Sequence, residues 1–324
     1  MGLFKKMFDQ TVEGKGVKPE PDGKFTLLKF FRLTGRKFWR ICALNLFFVL
    51  TNILLIFVLI YFAGYGNVTR AAPISSYWFG VINGASKFVS NPAMSLLEGI
   101  CGATVPASYP TTLSYIFLAI AALTIFTFGP ANTGMAYILR NYTREEPCDL
   151  WHDYWHTIKK NLGASVLLGV IDSILLFAMT FDLYLFLTGQ GTVVIFAVLA
   201  VSASVIYLTM RSYMYVILVT FDLPIIKIIK NSLIFAFVNV KRNIVAFLGQ
   251  FLLALVTVLM LIYLTPLGAL VLLGFVFSLS AFMGIYAGYP AIKQYMIDPV
   301  IEEERKKRKG EQPKEVEQIF SDPE

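Results

Sequence analysis

Charged side chains are scarce: Asp, Glu, Lys and Arg together make up 15% of the 324 residues, well below the share found in soluble domains. Set beside 56% hydrophobic residues and a mean hydropathy of +0.65, that shortage excludes an ordinary water-soluble globule and calls for lipid as solvent. Cysteine is nearly absent. Cys42, Cys101 and Cys148 stand far apart, so neither a disulfide framework nor a close-spaced zinc or redox pair is expected. Histidine occurs only at 152 and 156, which leaves no serine or cysteine nucleophile with a histidine inside the membrane domain. Gly14-Lys15-Gly16-Val17-Lys18 lacks the spacing of a phosphate loop. The sequence therefore predicts no enzyme, no catalytic residue, no cofactor and no metal site. The first forty residues lack the apolar core of a removable signal peptide, and Lys6 stands where a myristoylation pattern wants Ser or Thr.

What the chain has in quantity is long apolar runs. Windows able to cross ~30 Å of hydrocarbon at 1.5 Å per residue lie at 41–63, 112–138, 163–187, 192–219, 244–264 and 267–292. The expected fold is an all-α membrane protein with six transmembrane helices. It comprises a polar tail over 1–23, a membrane domain over 24–297 with an outer loop at 64–111, and a charged tail over 298–324. Gly189-Gln190-Gly191 and Thr265-Pro266-Leu267-Gly268 read as tight turns between spans three and four and between five and six. Apolar side chains in the outer loop, Trp78, Phe79, Phe88 and Leu97 among them, predict short helices at the outer surface.

Positive charge gives the orientation. In the six-span layout 26 of the 28 Lys and Arg residues fall on one side, the bias that holds loops in the cytoplasm. Both termini are expected there, in a multi-pass protein of the cell membrane. The net charge of +7 then reports topology and attraction to anionic lipid. No nucleic-acid partner is expected, because the charges are divided among membrane flanks.

Amphipathic basic and aromatic stretches precede spans one, three and five, at 24–40, 149–161 and 224–243. The second and third end in Lys159-Lys160-Asn161 and Lys241-Arg242-Asn243, 82 residues apart, and predict a repeated unit of interfacial helix plus hairpin. Trp151, His152, Trp155, His156, Lys159, Lys160, Lys241 and Arg242 are the expected contacts to the membrane surface or a partner. His152 and His156 share a helical face at i, i+4, but without the glutamate of a metalloprotease pattern they read as interfacial packing.

Within the spans, Asp172 is the leading candidate. An ionised carboxylate at mid-membrane costs about 3 kcal/mol on insertion scales and usually faces protein. It reads either as a proton, cation or solute contact or as an interhelical tie. Gly129 and Pro130 lie inside span two, where proline removes a helical hydrogen bond, and Asn132 and Thr133 sit where they can satisfy or exploit the freed carbonyls.

From Gly129 the chain reads GPANTGMAYILRNYTREEPCDLWHDYWHTIKKN. This resembles the YesL family of bacterial membrane proteins, through Gly129-Pro130-Ala131, Tyr137, Leu139-Arg140, Arg144, Glu145, Asp153, Trp155 and Lys160-Asn161, with Asn45-Leu46 upstream. The likeness covers roughly residues 30–180, and the long outer loop and the last two spans depart from it. The resemblance implies a place encoded beside oligosaccharide uptake transporters and a link to plant polysaccharide use, in a family without an established molecular activity. The contrast between aromatic, basic flanks and nearly uncharged spans reads as an accessory or scaffold protein that docks partners or lipid. The alternative reading of the residues is a permease or channel for a small solute, using Asp172 and the break at Pro130.

Overall fold

The computed structural model describes residues 25–62, 64–73, 104–187 and 194–302. Almost all of this is helix, in two compact units, one of the described residues within 52–125 and the other of the remaining described residues.

In the smaller unit, a 3-10 turn at Ile53–Leu55 leads into a helix over Ile56–Phe62, which packs against another over Thr112–Ala122, with Phe57 and Phe117 ring to ring at 5.9 Å. Between them two strands, Val68–Pro73 and Thr104–Tyr109, pair antiparallel from Val68↔Tyr109 to Pro73↔Thr104. The stretch read as an outer loop thus begins and ends as a β-ribbon. β-branched residues at both roots, Val68-Thr69 and Thr104-Val105, favour the extended backbone. Gly64 and Gly66 make the preceding turn at φ +78° and +86°, where a side chain would be strained. The expected surface helices around Trp78, Phe79, Phe88 and Leu97 lie outside the described residues, as do the tail at 1–23, all but 298–302 of the tail at 298–324, and the turn at 189–191.

The larger unit holds a helix bundle, whose members we number α1 to α9 in chain order. They are α1 (Leu27–Thr51), α2 (Thr124–Thr143), α3 (Leu150–Lys160), α4 (Leu162–Leu187), α5 (Val194–Thr220), α6 (Ile225–Val238), α7 (Val240–Tyr263), α8 (Thr265–Val271) and α9 (Phe277–Ile292). A π-turn at Leu272–Val276 joins α8 to α9, and a second follows at Lys293–Ile297. Five apolar helices among the described residues are long enough to cross a membrane: Thr112–Thr143, Leu162–Asp182, Val198–Thr220, Val240–Tyr263 and Thr265–Glu302.

The window at 41–63 is not one rod. Thr51 turns its Oγ1 back onto the Phe47 carbonyl at 2.7 Å, Asn52 leaves helical geometry at φ −106°, ψ 27°, and the chain restarts as a 3-10 turn. Side chains that hydrogen-bond their own backbone compete with helix in this way. Conversely α1 begins at Leu27, so the basic stretch 24–40 and the first half of the apolar window form a single 25-residue helix. The turn expected at 265–268 shrinks to Leu264 alone, because Pro266 sits in the first turn of α8, where its missing N–H is harmless.

The repeat is present in altered register. Helix α3 buries Leu150, Tyr154, Thr157 and Ile158; α6 buries Ile228, Ser232, Phe235 and Ala236, the same i, i+4, i+7, i+8 face. Each ends on an asparagine whose N–H bonds the carbonyl four residues back: Asn161 to Thr157 at 3.1 Å and Asn239 to Phe235 at 3.2 Å. Their backbones match, at φ −109°, ψ 18° and φ −105°, ψ 34°, and a long apolar helix follows directly. The equivalence therefore runs from Asn161 to Asn239, a spacing of 78, not to Asn243.

Candidate functional site

Helix α4 is mostly apolar and carries two charged residues, Asp172 and Asp182, and α5 lies against it. The carboxyl of Asp172 is fully buried. Tyr207 donates to Oδ1 at 2.7 Å and Tyr215 to Oδ2 at 2.6 Å, both from α5. Between them in sequence, Arg211 donates Nε to Oδ1 at 2.9 Å and to Oδ2 at 2.8 Å. Positions 207, 211 and 215 repeat at i, i+4, so one face of α5 delivers all three donors. The Arg211 guanidinium reaches on to α2, where Nη2 donates to Asn132 Oδ1 at 3.0 Å, and it lies 5.1 Å from the centre of the Phe128 ring. Three hydrogens reach the carboxylate: the two tyrosine O–H groups and the single Arg211 Nε–H, which is shared between both oxygens. Both oxygens are engaged, and the charge is offset by an arginine whose side chain is 24% exposed.

The α2–α4 contact that presents Asn132 depends on two glycines. A Cβ on Gly129 would strike the Ser165 carbonyl and the Gly169 backbone, and one on Gly169 would strike the Gly129 backbone. Backbone lies on backbone here, the close approach that small residues permit between membrane helices. Pro130 stays inside α2. Around it Asn132 Nδ2 donates to the Phe128 carbonyl at 2.8 Å and Thr133 Oγ1 to that of Gly129 at 2.9 Å. Of the sequence candidates, Asp172, Asn132 and Gly129 therefore converge on one cluster, while Thr133 serves its own helix.

Arg211 was missed, and so were Tyr207 and Tyr215. Charge bias assigns Arg211 to the cytoplasmic side, whereas it lies inside the candidate span Val198–Thr220. Its depth was the available signal. Asp172 precedes the expected turn at Gly189-Gln190-Gly191 by about as many residues as Arg211 follows it, so an antiparallel hairpin sets them side by side. Asp182 stays exposed and outside the cluster.

The interfacial candidates lie apart from this cluster. On α3, Asp149 caps the helix by accepting from the His152 N–H at 2.9 Å. Trp151 is 64% exposed and stands edge-on to Phe47, Trp155 packs half-buried on the core, and the rings of His152 and His156 stack at 5.7 Å. Lys159 and Lys160 are exposed in the last turn, where cations suit the helix dipole. Lys241 and Arg242 are exposed in the first turn of α7.

Next to α3, Glu145 at φ 59° accepts ion pairs from Lys29 at 2.9 Å and Arg36 at 2.7 Å. Burial opposes its charge, but those two hydrogen-bonded cations outweigh it and hold the carboxyl below its usual range. Lys37 stands 4.3 Å over the Tyr142 ring, and burial pushes its ammonium down to about 8. Arg140, 8% exposed, caps the last turn of α5 through the Val219 carbonyl at 2.9 Å and Thr220 Oγ1 at 3.1 Å.

Residues 110–183 are similar to the family described as Protein of unknown function, DUF624, a stretch that includes Gly129, Asn132 and Asp172 but none of the α5 donors. No curated protein and no solved structure matches the chain.

Proposed function

We propose that this chain is a non-enzymatic accessory or scaffold component of the bacterial cytoplasmic membrane, serving an oligosaccharide uptake transporter. The link to carbohydrate uptake comes from the YesL resemblance around residues 129–161. The six-crossing layout with both termini in the cytoplasm is inferred from the bias of Lys and Arg, the stretch 41–63 supplying the crossing beyond the five long helices.

One observation carries the scaffold reading: both oxygens of the buried Asp172 carboxylate are hydrogen-bonded from within the bundle, to two tyrosines and a paired arginine. A carboxylate that binds and releases a proton or cation in a transport cycle must give up such partners, whereas a hydrogen-bonded ion pair fixes three helices against one another. The exposed face of α3, with Trp151, His152, His156, Lys159 and Lys160, is then a stable surface for a partner or for headgroups.

Purification in mild detergent tests this. We expect a transporter to copurify, and the chain alone to conduct no solute in liposomes. Flux by the isolated chain that disappears in Asp172→Asn would overturn the reading. It would favour instead a permease built on Asp172 and the Pro130 segment, to which the partial exposure of the Arg211 side chain gives its support.

A further inference from the structure

We propose that the groove between the start of α1, the start of α7 and the second half of α9 binds one anionic phospholipid. This does not depend on the accessory reading, and would hold equally for a permease.

The groove has a volume of about 520 Å³, within the ~300–1,000 Å³ of ligand pockets. Phe30 and Phe31 of α1 form one wall, Val245 and Gly249 of α7 a second, and Met283 and Tyr286 of α9 the third. Tyr286 is held in place by donating its hydroxyl to the Thr26 carbonyl at 2.9 Å. At one end of this apolar trough stand Lys241 and Arg242, and no acidic residue among the described ones lines it. Neither cation has an ion-pair partner among the described residues, and no carboxylate in the first turn of α7 balances them.

The occupant follows from where the trough opens. Helix α7 has the highest mean hydropathy of the candidate spans, 2.6, with only 6% of its apolar window buried. Leu248, Phe251 and Leu252 are 58–60% exposed. In a membrane this face meets acyl chains, so a ligand enters sideways from the bilayer. From Arg242 to Gly249 the trough runs about 10 Å along the helix axis, cationic at one end and apolar beyond. An anionic headgroup against Lys241 and Arg242, with an acyl chain lying toward Gly249, matches both ends. Gly249 keeps the lower trough open: a Cβ there would stand 3.2 Å from Met283 Sδ, so a larger side chain would fill it.

The full chain, purified in mild detergent, is titrated with dioleoyl phosphatidylglycerol or with dioleoyl phosphatidylcholine, while retained lipid is counted by native mass spectrometry. We expect about one phosphatidylglycerol per chain and a rise in unfolding temperature that phosphatidylcholine and inorganic phosphate do not produce. The Lys241→Gln/Arg242→Gln variant should bind the two lipids alike. Gly249→Leu should retain neither, and Ala246→Leu on the same wall takes its place if that variant does not fold. Lys227→Gln/Lys230→Gln, exposed on α6 and not among the residues lining the groove, should behave as wild type. Equal effects of both lipids on the wild-type chain would overturn the proposal. So would a phosphatidylglycerol preference that survives Lys241→Gln/Arg242→Gln, or one that is lost in Lys227→Gln/Lys230→Gln, which would mark diffuse attraction.

Discussion

Removing Arg211 while keeping Asp172 would leave a carboxylate in the bundle with two tyrosines and no countercharge. Breaking one side of a buried pair costs about 3–5 kcal/mol, whereas replacing both sides with apolar groups is often neutral. We therefore expect Arg211→Met to lower the unfolding temperature in detergent sharply, and Asp172→Leu/Arg211→Met to recover most of the loss. Additive losses would mean that the pair is not the stabilising unit. This residue scale is also where the sequence was half legible. A lone Asp in an apolar helix stands out, but its partner was hidden near the end of the next window among cations that flank the membrane. Lys37 makes a second prediction here. Its ammonium is held near 8 in the fold by burial, against about 10.4 in an unfolded chain, so between those values the unfolded chain binds the extra proton. Stability should then rise with pH across that interval, and Lys37→Met should flatten the rise. Glu145 acts at the other end of the scale. Its lowered pKa adds stability above the ordinary carboxylate range, lost as pH falls through the folded value, so acid melts should show a step missing in Glu145→Gln.

At the scale of elements, the two copies of helix, asparagine and span differ in what their asparagines hold. Among the described residues, Asn161 Nδ2 donates to the Thr157 carbonyl of its own helix, at 3.0 Å. Asn239 Nδ2 reaches the Ala287 carbonyl at 2.9 Å and the Tyr213 hydroxyl at 3.0 Å, joining α7 to α9 and α5. Asn239→Ala should therefore cost about 1–3 kcal/mol by stranding buried partners, and Asn161→Ala clearly less, as read by paired thermal melts. Equal losses would show that the kink itself, not its tertiary partners, sets the energy. The sequence displayed the repeat through its Lys-Lys-Asn and Lys-Arg-Asn triplets and so placed it four residues out of step. Cations at an interface are free to drift, whereas a buried face and a kink are fixed by packing. In the corrected register Asp172 corresponds to Gln250, which donates to the Ser280 carbonyl at 2.8 Å; one copy carries a charge where the other carries a neutral amide. Asn45 does comparable work across elements. It bonds the Leu273 carbonyl and the Ser278 N–H, two backbone groups at the π-turn whose ordinary helical pattern is broken. Nothing in the local sequence marks that turn.

For the molecule as a whole, the oily character and most of the long helices were legible, because a window of apolar residues is a direct statement about solvent. Features that depend on one or two side chains were not: the break at Thr51-Asn52, and the ribbon at the roots of the outer loop. Orientation is open to a direct test. Single cysteines at positions 5 and 308, in a background with the three native cysteines replaced, should resist impermeant thiol reagents in intact cells and react once the membrane is opened; reaction from outside at either position would reverse or discard the six-crossing layout. The Asp172–Arg211 pair has a consequence for how the protein is made. Its two halves are 39 residues apart, so as synthesis proceeds α4 emerges before its countercharge exists. Each side chain alone opposes entry into lipid by about 3 kcal/mol, and together they largely cancel. The hairpin of α4 and α5 should accordingly leave the insertion machinery as a pair, with the first helix waiting at the channel until the second arrives to release it.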